Sequence, residues 1–111
     1  MTETLPSARG IYTYLDCSDS HLTPEDIELI KSIMWDENPD PPVLLLAPST
    51  REYNFGYGYF LYSDTDGETP QEMGISENLH RVMEFAKSLG CNWIKLDPDG
   101  LIHEELPQYD H

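Results

Sequence analysis

An α+β domain of the ferredoxin-like type, β-α-β-β-α-β, is predicted by three observations. Two amphipathic segments open on recognisable helix caps. Apolar or aromatic runs of strand length lie before, between and after them. The chain has 111 residues, enough for one core but not for two. Both helix stripes are buried most simply by one antiparallel sheet that carries both helices on one face. The whole chain, 1–111, then reads as a single acidic domain, since no repeat, low-complexity tract or linker divides it.

The first strand is expected at Ile11-Tyr12-Thr13-Tyr14-Leu15, where aliphatic residues or Thr alternate with Tyr. A helix start follows. Thr23 can cap, Pro24 suits the first helical position, and Glu25 and Asp26 favour the positive end of the helix dipole. Leu22 and Ile27 are spaced as a hydrophobic staple. Ile27, Ile30, Ile33 and Met34 mark the buried stripe, while Glu25, Glu28 and Ser32 face water. The proline-rich run Asn38-Pro39-Asp40-Pro41-Pro42 cannot continue a helix.

Val43-Leu44-Leu45-Leu46 has the character of a covered strand, and Phe55 to Tyr62 of the next one. Gly56 and Gly58 there predict a bulge or a close backbone approach. A polar loop, Ser63 to Gly74, leads to a second helix capped by Ser76. Leu79, Val82, Met83, Ala86 and Leu89 form its inner stripe, and Gly90 ends it. Asn92-Trp93-Ile94-Lys95-Leu96 is the last main strand. Asp97-Pro98-Asp99-Gly100 is a turn, because Pro fixes φ and Gly accepts unusual backbone angles; Leu101-Ile102-His103 is then expected to return as a C-terminal β-hairpin. If the first and last main strands are antiparallel neighbours, Cys17 lies close to Cys91 across the sheet.

Charge restricts partners more than fold. The chain carries 21 Asp and Glu against 6 Lys and Arg, a formal charge of −15, yet 39% hydrophobic content and seven Tyr separate it from disordered acidic tails. Naked nucleic acid and anionic membrane surfaces repel such a chain, so no direct contact with either is expected. No apolar run approaches the roughly 20 residues that cross a bilayer. Met1-Thr2-Glu3-Thr4 has neither the basic nor the apolar part of a signal peptide. A cytoplasmic protein is the expectation, with its two well-separated cysteines reduced.

Candidate chemical sites fail on spacing. Asp64-Thr65-Asp66-Gly67-Glu68 opens like a calcium loop, but the sixth and twelfth positions, which require Gly and Glu, hold Thr69 and Ile75. Asp97-Pro98-Asp99-Gly100 beside Glu104 and Glu105 is explained as a turn without a cation. His21, His80, His103 and His111 have no ligand spacing, so neither a metal nor a cofactor is expected. Motifs of nucleophilic, phosphate-binding and dinucleotide-binding sites are absent, and Gly56-Tyr57-Gly58 sits inside a strand pattern with no helix after it. A Cys17/His21 nucleophile pair is conceivable where the first strand gives way to the first helix; a packed thiol beside a helix-entry histidine is the plainer reading.

The second half carries a family pattern. Tyr57-Gly58-Tyr59-Phe60-Leu61-Tyr62, Gly74-Ile75-Ser76-Glu77, Phe85-Ala86-Lys87 and Gly90-Cys91-Asn92-Trp93-Ile94-Lys95-Leu96-Asp97 resemble a bacterial and plasmid-borne family catalogued as a domain of unknown function, number 5983. Leu106-Pro107-Gln108-Tyr109-Asp110 is similar to its closing motif, and Ser20-His21-Leu22-Thr23 to an early segment. The resemblance runs from about Ser20 onward, departing at His111, where the family tends to end in an aromatic residue. It implies no activity and no catalytic residue, only a setting among mobile elements and their accessory genes.

The carboxylates are the remaining signal. Asp16 to Asp40 holds eight acids and one base, Glu52 to His80 six acids and none, and the residues after Lys95 five acids and none. Duplex DNA presents about one charge per 1.7 Å of axis, and a small rigid acidic body can offer a comparable field. The leading expectation is therefore a non-enzymatic DNA mimic that occupies the basic groove of a nucleic-acid-binding defence complex, as an anti-CRISPR or anti-restriction inhibitor. Its contact residues are expected among Glu25, Glu28, Asp36, Glu37, Asp40, Asp64, Asp66, Glu68, Asp97, Asp99, Glu104 and Glu105. The alternatives are an antitoxin or adaptor that binds a basic partner through a Tyr-rich sheet face (Tyr12, Tyr14, Tyr57, Tyr59), or an enzyme with an unrecognised Cys/His or carboxylate site. Acidity that only solubilises, or adapts the chain to salt, explains the charge equally simply.

Overall fold

The structure, a computed structural model, describes residues 13–35, 38–46 and 59–110. In chain order these form β1 (Tyr14–Ser18), a 3-10 turn (Asp19–His21), α1 (Pro24–Met34), β2 (Leu45–Leu46), β3 (Tyr59–Tyr62), α2 (Pro70–Met73), α3 (Glu77–Ser88) and β4 (Trp93–Asp97). The class is α+β, as the sequence predicts. The positions assigned to Ile11, Tyr12, Phe55, Gly56, Tyr57 and Gly58 lie outside the described residues.

Both main helices begin at their predicted caps. The Thr23 hydroxyl accepts the Asp26 N–H and the Asp26 carboxylate accepts the Thr23 N–H, each at 3.1 Å, with Pro24 in the first turn. The Ser76 hydroxyl accepts the Leu79 N–H at 2.9 Å. α3 ends in a Schellman motif: Gly90, at φ +80°, donates to the Lys87 carbonyl and Cys91 to that of Ala86. Leu89 is exposed rather than part of the inner stripe, because the helix ends there and its side chain leaves the stripe. Met34, at the other helix end, is also partly exposed. Sequence reading missed α2, a single turn with its own capping box between Thr69 and Glu72.

One core joins both helices to one sheet face. Leu15 and Cys17 of β1, Leu61 of β3, and Ile94 and Leu96 of β4 pack with Ile30 of α1 and with Leu79, Val82, Met83 and Ala86 of α3. Burying each of the leucine, isoleucine, valine and methionine side chains among them contributes about 1.5–3 kcal/mol. The predicted placement of both helices on one face is what this shared core requires.

The sheet differs from expectation. Its order is β1-β4-β3-β2; β3 runs antiparallel to both β2 and β4, but β1 runs parallel to β4, with Tyr14 opposite Trp93 and Ser18 opposite Asp97. The sheet is therefore mixed, not antiparallel, and the order is not the ferredoxin-like one. The cause is the segment between β3 and α3. In a simple crossover the helix itself returns the chain along the sheet, making the flanking strands parallel. Here residues 63–76 first travel the length of the sheet, so α3 delivers the chain to the end where β3 stopped, and Trp93 lies opposite Tyr62. β4 must then run against β3.

Parallel pairing also separates the cysteines. Cys17 lies level with Leu96, five residues beyond Cys91, which at strand rise is on the order of 16 Å and out of disulfide reach. Both thiols are free.

The C-terminal segment does not form the expected hairpin strand among the described residues. The turn itself forms, with Gly100 N–H donating to the Asp97 carbonyl at 3.1 Å. The chain then crosses the end of β4 and docks on β1, where Ser18 N–H donates to the Leu101 carbonyl at 2.8 Å. Gly100 is required by this crossing, since a Cβ there would stand 2.3 Å from the Cys17 carbonyl oxygen. Gly100→Ala should cost about 1–3 kcal/mol, seen as a lower urea midpoint together with faster amide exchange at Ser18. An unchanged midpoint would contradict the close approach.

Candidate functional site

Strand alternation sorts the sheet residues into two faces. The face turned from the helices carries Tyr14 on β1, Trp93 on β4 and Tyr62 on β3 in one row, and Asp16, Lys95 and Phe60 in the next. Tyr62 and Trp93 meet edge to face with ring centroids 5.2 Å apart, and Tyr14 and Phe60 do so at 5.4 Å. Tyr14 is 52% and Tyr62 37% exposed, while Phe60 and Trp93 are half-buried. No helix among the described residues covers this face. Of the tyrosines proposed for a sheet-face contact, Tyr14 lies here. Tyr59 does not: it sits opposite Leu96 and packs against the core, where burial pushes its hydroxyl pKa upward. Tyr12 and Tyr57 lie outside the described residues. Tyr62 was missed, although alternation from Leu61 would have placed it.

A second polar constellation lies at the far ends of β1 and β4, and it is structural. His21 is fully buried; its Nδ1–H donates to the Pro107 carbonyl at 2.7 Å and its Nε2 accepts the His103 N–H at 2.9 Å. His103 donates through Nε2 to the Asp16 carbonyl at 2.7 Å. Asp26 accepts from Thr23 N–H, from Ser76 Oγ at 2.6 Å and from Asn78 Nδ2 at 3.0 Å. Asn78 also donates to the His21 carbonyl and accepts from the Tyr109 hydroxyl at 3.0 Å. Among the described residues no buried side-chain nitrogen or oxygen lacks a partner. These groups hold the ends of β1 and β4, α1, α3 and the C-terminal segment together.

The Cys17/His21 pair is accordingly not assembled. The thiol donates to the Ser18 carbonyl at 3.6 Å, and both ring nitrogens of His21 are bound elsewhere. Burial, followed by the charges of Asp16 and Asp19, pushes the Cys17 thiol from 9.0 up to about 12, the opposite of an activated nucleophile. No group of His, Cys, Asp or Glu among the described residues is arranged to hold a metal.

The predicted acidic contacts scatter. Glu25 and Glu28 are exposed on α1, where Glu28 approaches Lys31 at 4.0 Å. Asp40 is exposed beyond α1, and Asp36 and Glu37 lie outside the described residues. Asp99, Glu104 and Glu105 are exposed on the C-terminal segment. Asp97 is a correction: it is buried, accepts the Asp99 N–H at 2.7 Å and faces Lys95 at 3.7 Å, so it holds the turn instead of presenting charge. Asp64, Asp66 and Glu68 are brought together, along one cleft of about 170 Å³ that also meets Tyr62, Met73 and Met83. The Asp66 N–H and Lys87, whose Nζ is 3.1 Å away, hold the Asp64 carboxyl below its usual range.

Two outcomes follow from these arrangements. Asn78→Ala removes four hydrogen bonds at a buried junction and should cost about 2–4 kcal/mol by urea denaturation; a loss below 1 kcal/mol would contradict the junction. For the thiols, alkylation of the native protein should label Cys91 and spare Cys17 until urea is added. The unfolded chain loses the Cys17 proton near pH 9 while the folded chain keeps it. The thiol's contribution to stability is thus whole below pH 9 and falls as pH rises toward about 12, by roughly 1.4 kcal/mol per pH unit. Cys17→Ala should flatten that alkaline slope.

No curated protein sequence and no solved structure matches the chain. A family profile does, from Tyr14, the first residue of β1, to His111. With all but its first 13 residues so matched, the chain belongs to the family of unknown function DUF5983, of which this is the C-terminal domain.

Proposed function

We propose that the chain is a non-enzymatic, acidic interaction protein that binds a basic protein surface through the sheet face that no helix among the described residues covers. The observation that carries this reading is the row of Tyr14, Trp93 and Tyr62 with Phe60 beside it, on a body of net charge −15. Aromatic side chains give large contact area at small entropic cost and dominate interface energetics. Surrounding carboxylates repel anionic competitors and steer a cationic partner from a distance. The polar groups best suited to catalysis, Cys17 and His21, are committed to packing.

Mimicry of nucleic acid is the second reading, favoured by the spread of exposed carboxylates over α1, the 64–68 turn and the C-terminal segment. Under it the partner is a DNA- or RNA-binding complex, such as a nuclease or a CRISPR or restriction assembly. The setting among mobile elements that the family resemblance implies favours that class of partner.

The two readings separate in one experiment. Wild type, a Tyr14→Ser/Tyr62→Ser variant, and an Asp64→Asn/Asp66→Asn/Glu68→Gln variant are used to capture basic proteins from lysate, and the captured partner is then titrated at 50 and 300 mM salt. The face reading expects the tyrosine variant to lose about tenfold or more in affinity, with modest salt dependence. Mimicry expects a steep salt slope, a larger loss from the charge variant, and displacement by DNA or RNA. Equal binding by wild type and the tyrosine variant would overturn the face reading.

A further inference from the structure

We propose that residues 101–110 are a strap latched on neutral His21, and that uptake of a proton by this imidazole releases the strap and frees the backbone groups of β1 beneath it. The geometry fixes the state of the ring. His21 is fully buried, and its Nε2 accepts the His103 N–H at 2.9 Å, which only an unprotonated nitrogen can do. The one proton of the neutral ring is therefore on Nδ1, which donates to the Pro107 carbonyl at 2.7 Å. Both partners of the ring belong to the strap. A second proton, on Nε2, would face another N–H and leave both donors without an acceptor. His103 responds differently. Its ring, 6.0 Å from that of His21, donates through Nε2 to the Asp16 carbonyl, a bond that survives protonation of the other nitrogen.

The strap is also the part of the molecule best able to open. Its hydrogen bonds run from Leu101 to Ser18, from His103 to His21 and Asp16, from Pro107 to His21, and from Tyr109 to Ser20 and Asn78. Two of them pass through the one ring. Among residues 101–110 only Leu106 joins the core, while Leu101 and Ile102 are exposed. A terminal segment with so little apolar burial opens before the sheet does. Charge acts in the same direction. The strap carries Glu104, Glu105 and Asp110 and no Lys or Arg, and it docks on a strand and turn that carry Asp16 and Asp19. Asp26 on α1 and Arg81 on α3 are the nearest charged groups in the hydrogen-bonded junction beside it. Neither ring nitrogen of His21 meets a carboxylate, so an imidazolium there has no counter-ion in hydrogen-bond contact. A free histidine takes up a proton near pH ~6.5. The released strap then holds a proton that the docked strap has no place for. Docking is thus whole above that pH and weakens below it, by about tenfold per pH unit.

The test is NMR of the whole 15N-labelled chain between pH 7.5 and 5, a range above that in which model carboxylates take up protons. Imidazole 15N shifts should show His21 as the Nδ1–H tautomer at pH 7.5. Amide protection at Ser18, His103 and Tyr109, corrected for intrinsic exchange, should fall about tenfold per pH unit below pH 6.5. Ile94 in the centre of the sheet should remain better protected than these three at every pH. In His21→Gln the amide offers a donor and an acceptor one atom apart, as the ring does, but cannot titrate; the strap should stay docked and the slope should vanish. His103→Gln should keep the slope. The wild-type tautomer and slope decide the matter on their own should His21→Gln not fold. An Nε2–H tautomer, flat protection down to pH 5, or a slope that persists in His21→Gln would each overturn the latch. Equal protection of Ser18 and Ile94 throughout would overturn the strap, since the whole fold would then open at once.

Discussion

The side-chain amide of Asn78 joins three separate parts of the chain. It donates to the backbone of the 3-10 turn and to the carboxylate that caps α1, and it accepts from the Tyr109 hydroxyl, all from the first turn of α3. Asp26 is satisfied only if Thr23, Ser76 and Asn78 converge, and His21 only if the C-terminal segment is docked. An unpaired buried polar group costs more than a paired one contributes, so partial assembly is penalised and the junction forms as a unit. The apolar core supplies the attraction between helices and sheet, and this junction fixes their relative placement.

Much of the architecture could be read from local chemistry. Thr23, Pro24, Ser76 and Gly90 act where residue type alone put them, and the stripes Ile27-Ile30-Ile33 and Leu79-Val82-Met83-Ala86 face the core. Strand direction could not be read. Leu15 and Cys17 on β1, or Ile94 and Leu96 on β4, alternate identically whichever way a neighbour runs. What decides direction is how far residues 63–76 travel before α3 begins, and a polar loop carries no sign of its reach. The single turn of α2 escaped because four residues make no stripe, although Thr69-Pro70-Gln71-Glu72 repeats the capping chemistry of Thr23-Pro24-Glu25-Asp26.

Site residues divide in the same way. His21 was legible as a packing histidine because it lacked ligand spacing, but its partners were not, since Pro107 and His103 lie 86 and 82 residues away. Asp97 looked like one more surface acid, and only its place at the buried end of β4 makes it a turn anchor. The segments that resemble the family's early and closing motifs, Ser20 to Thr23 and Leu106 to Asp110, meet in space: Tyr109 N–H donates to the Ser20 carbonyl at 2.7 Å and His21 to that of Pro107. Closure of the fold is thus one demand on their pattern.

The route of residues 98–110 along β1 also bears on solubility. Among the described strands β1 is the outermost on its side of the sheet, and a bare outer strand offers unpaired N–H and carbonyl groups to any neighbouring chain. Here Ser18 N–H is taken by Leu101 and the Asp16 carbonyl by the His103 ring. A backbone carbonyl and an imidazole do the work of a pairing strand, and neither continues into a ladder that a second molecule could extend. At these two positions the edge offers no free group for a second molecule to pair with.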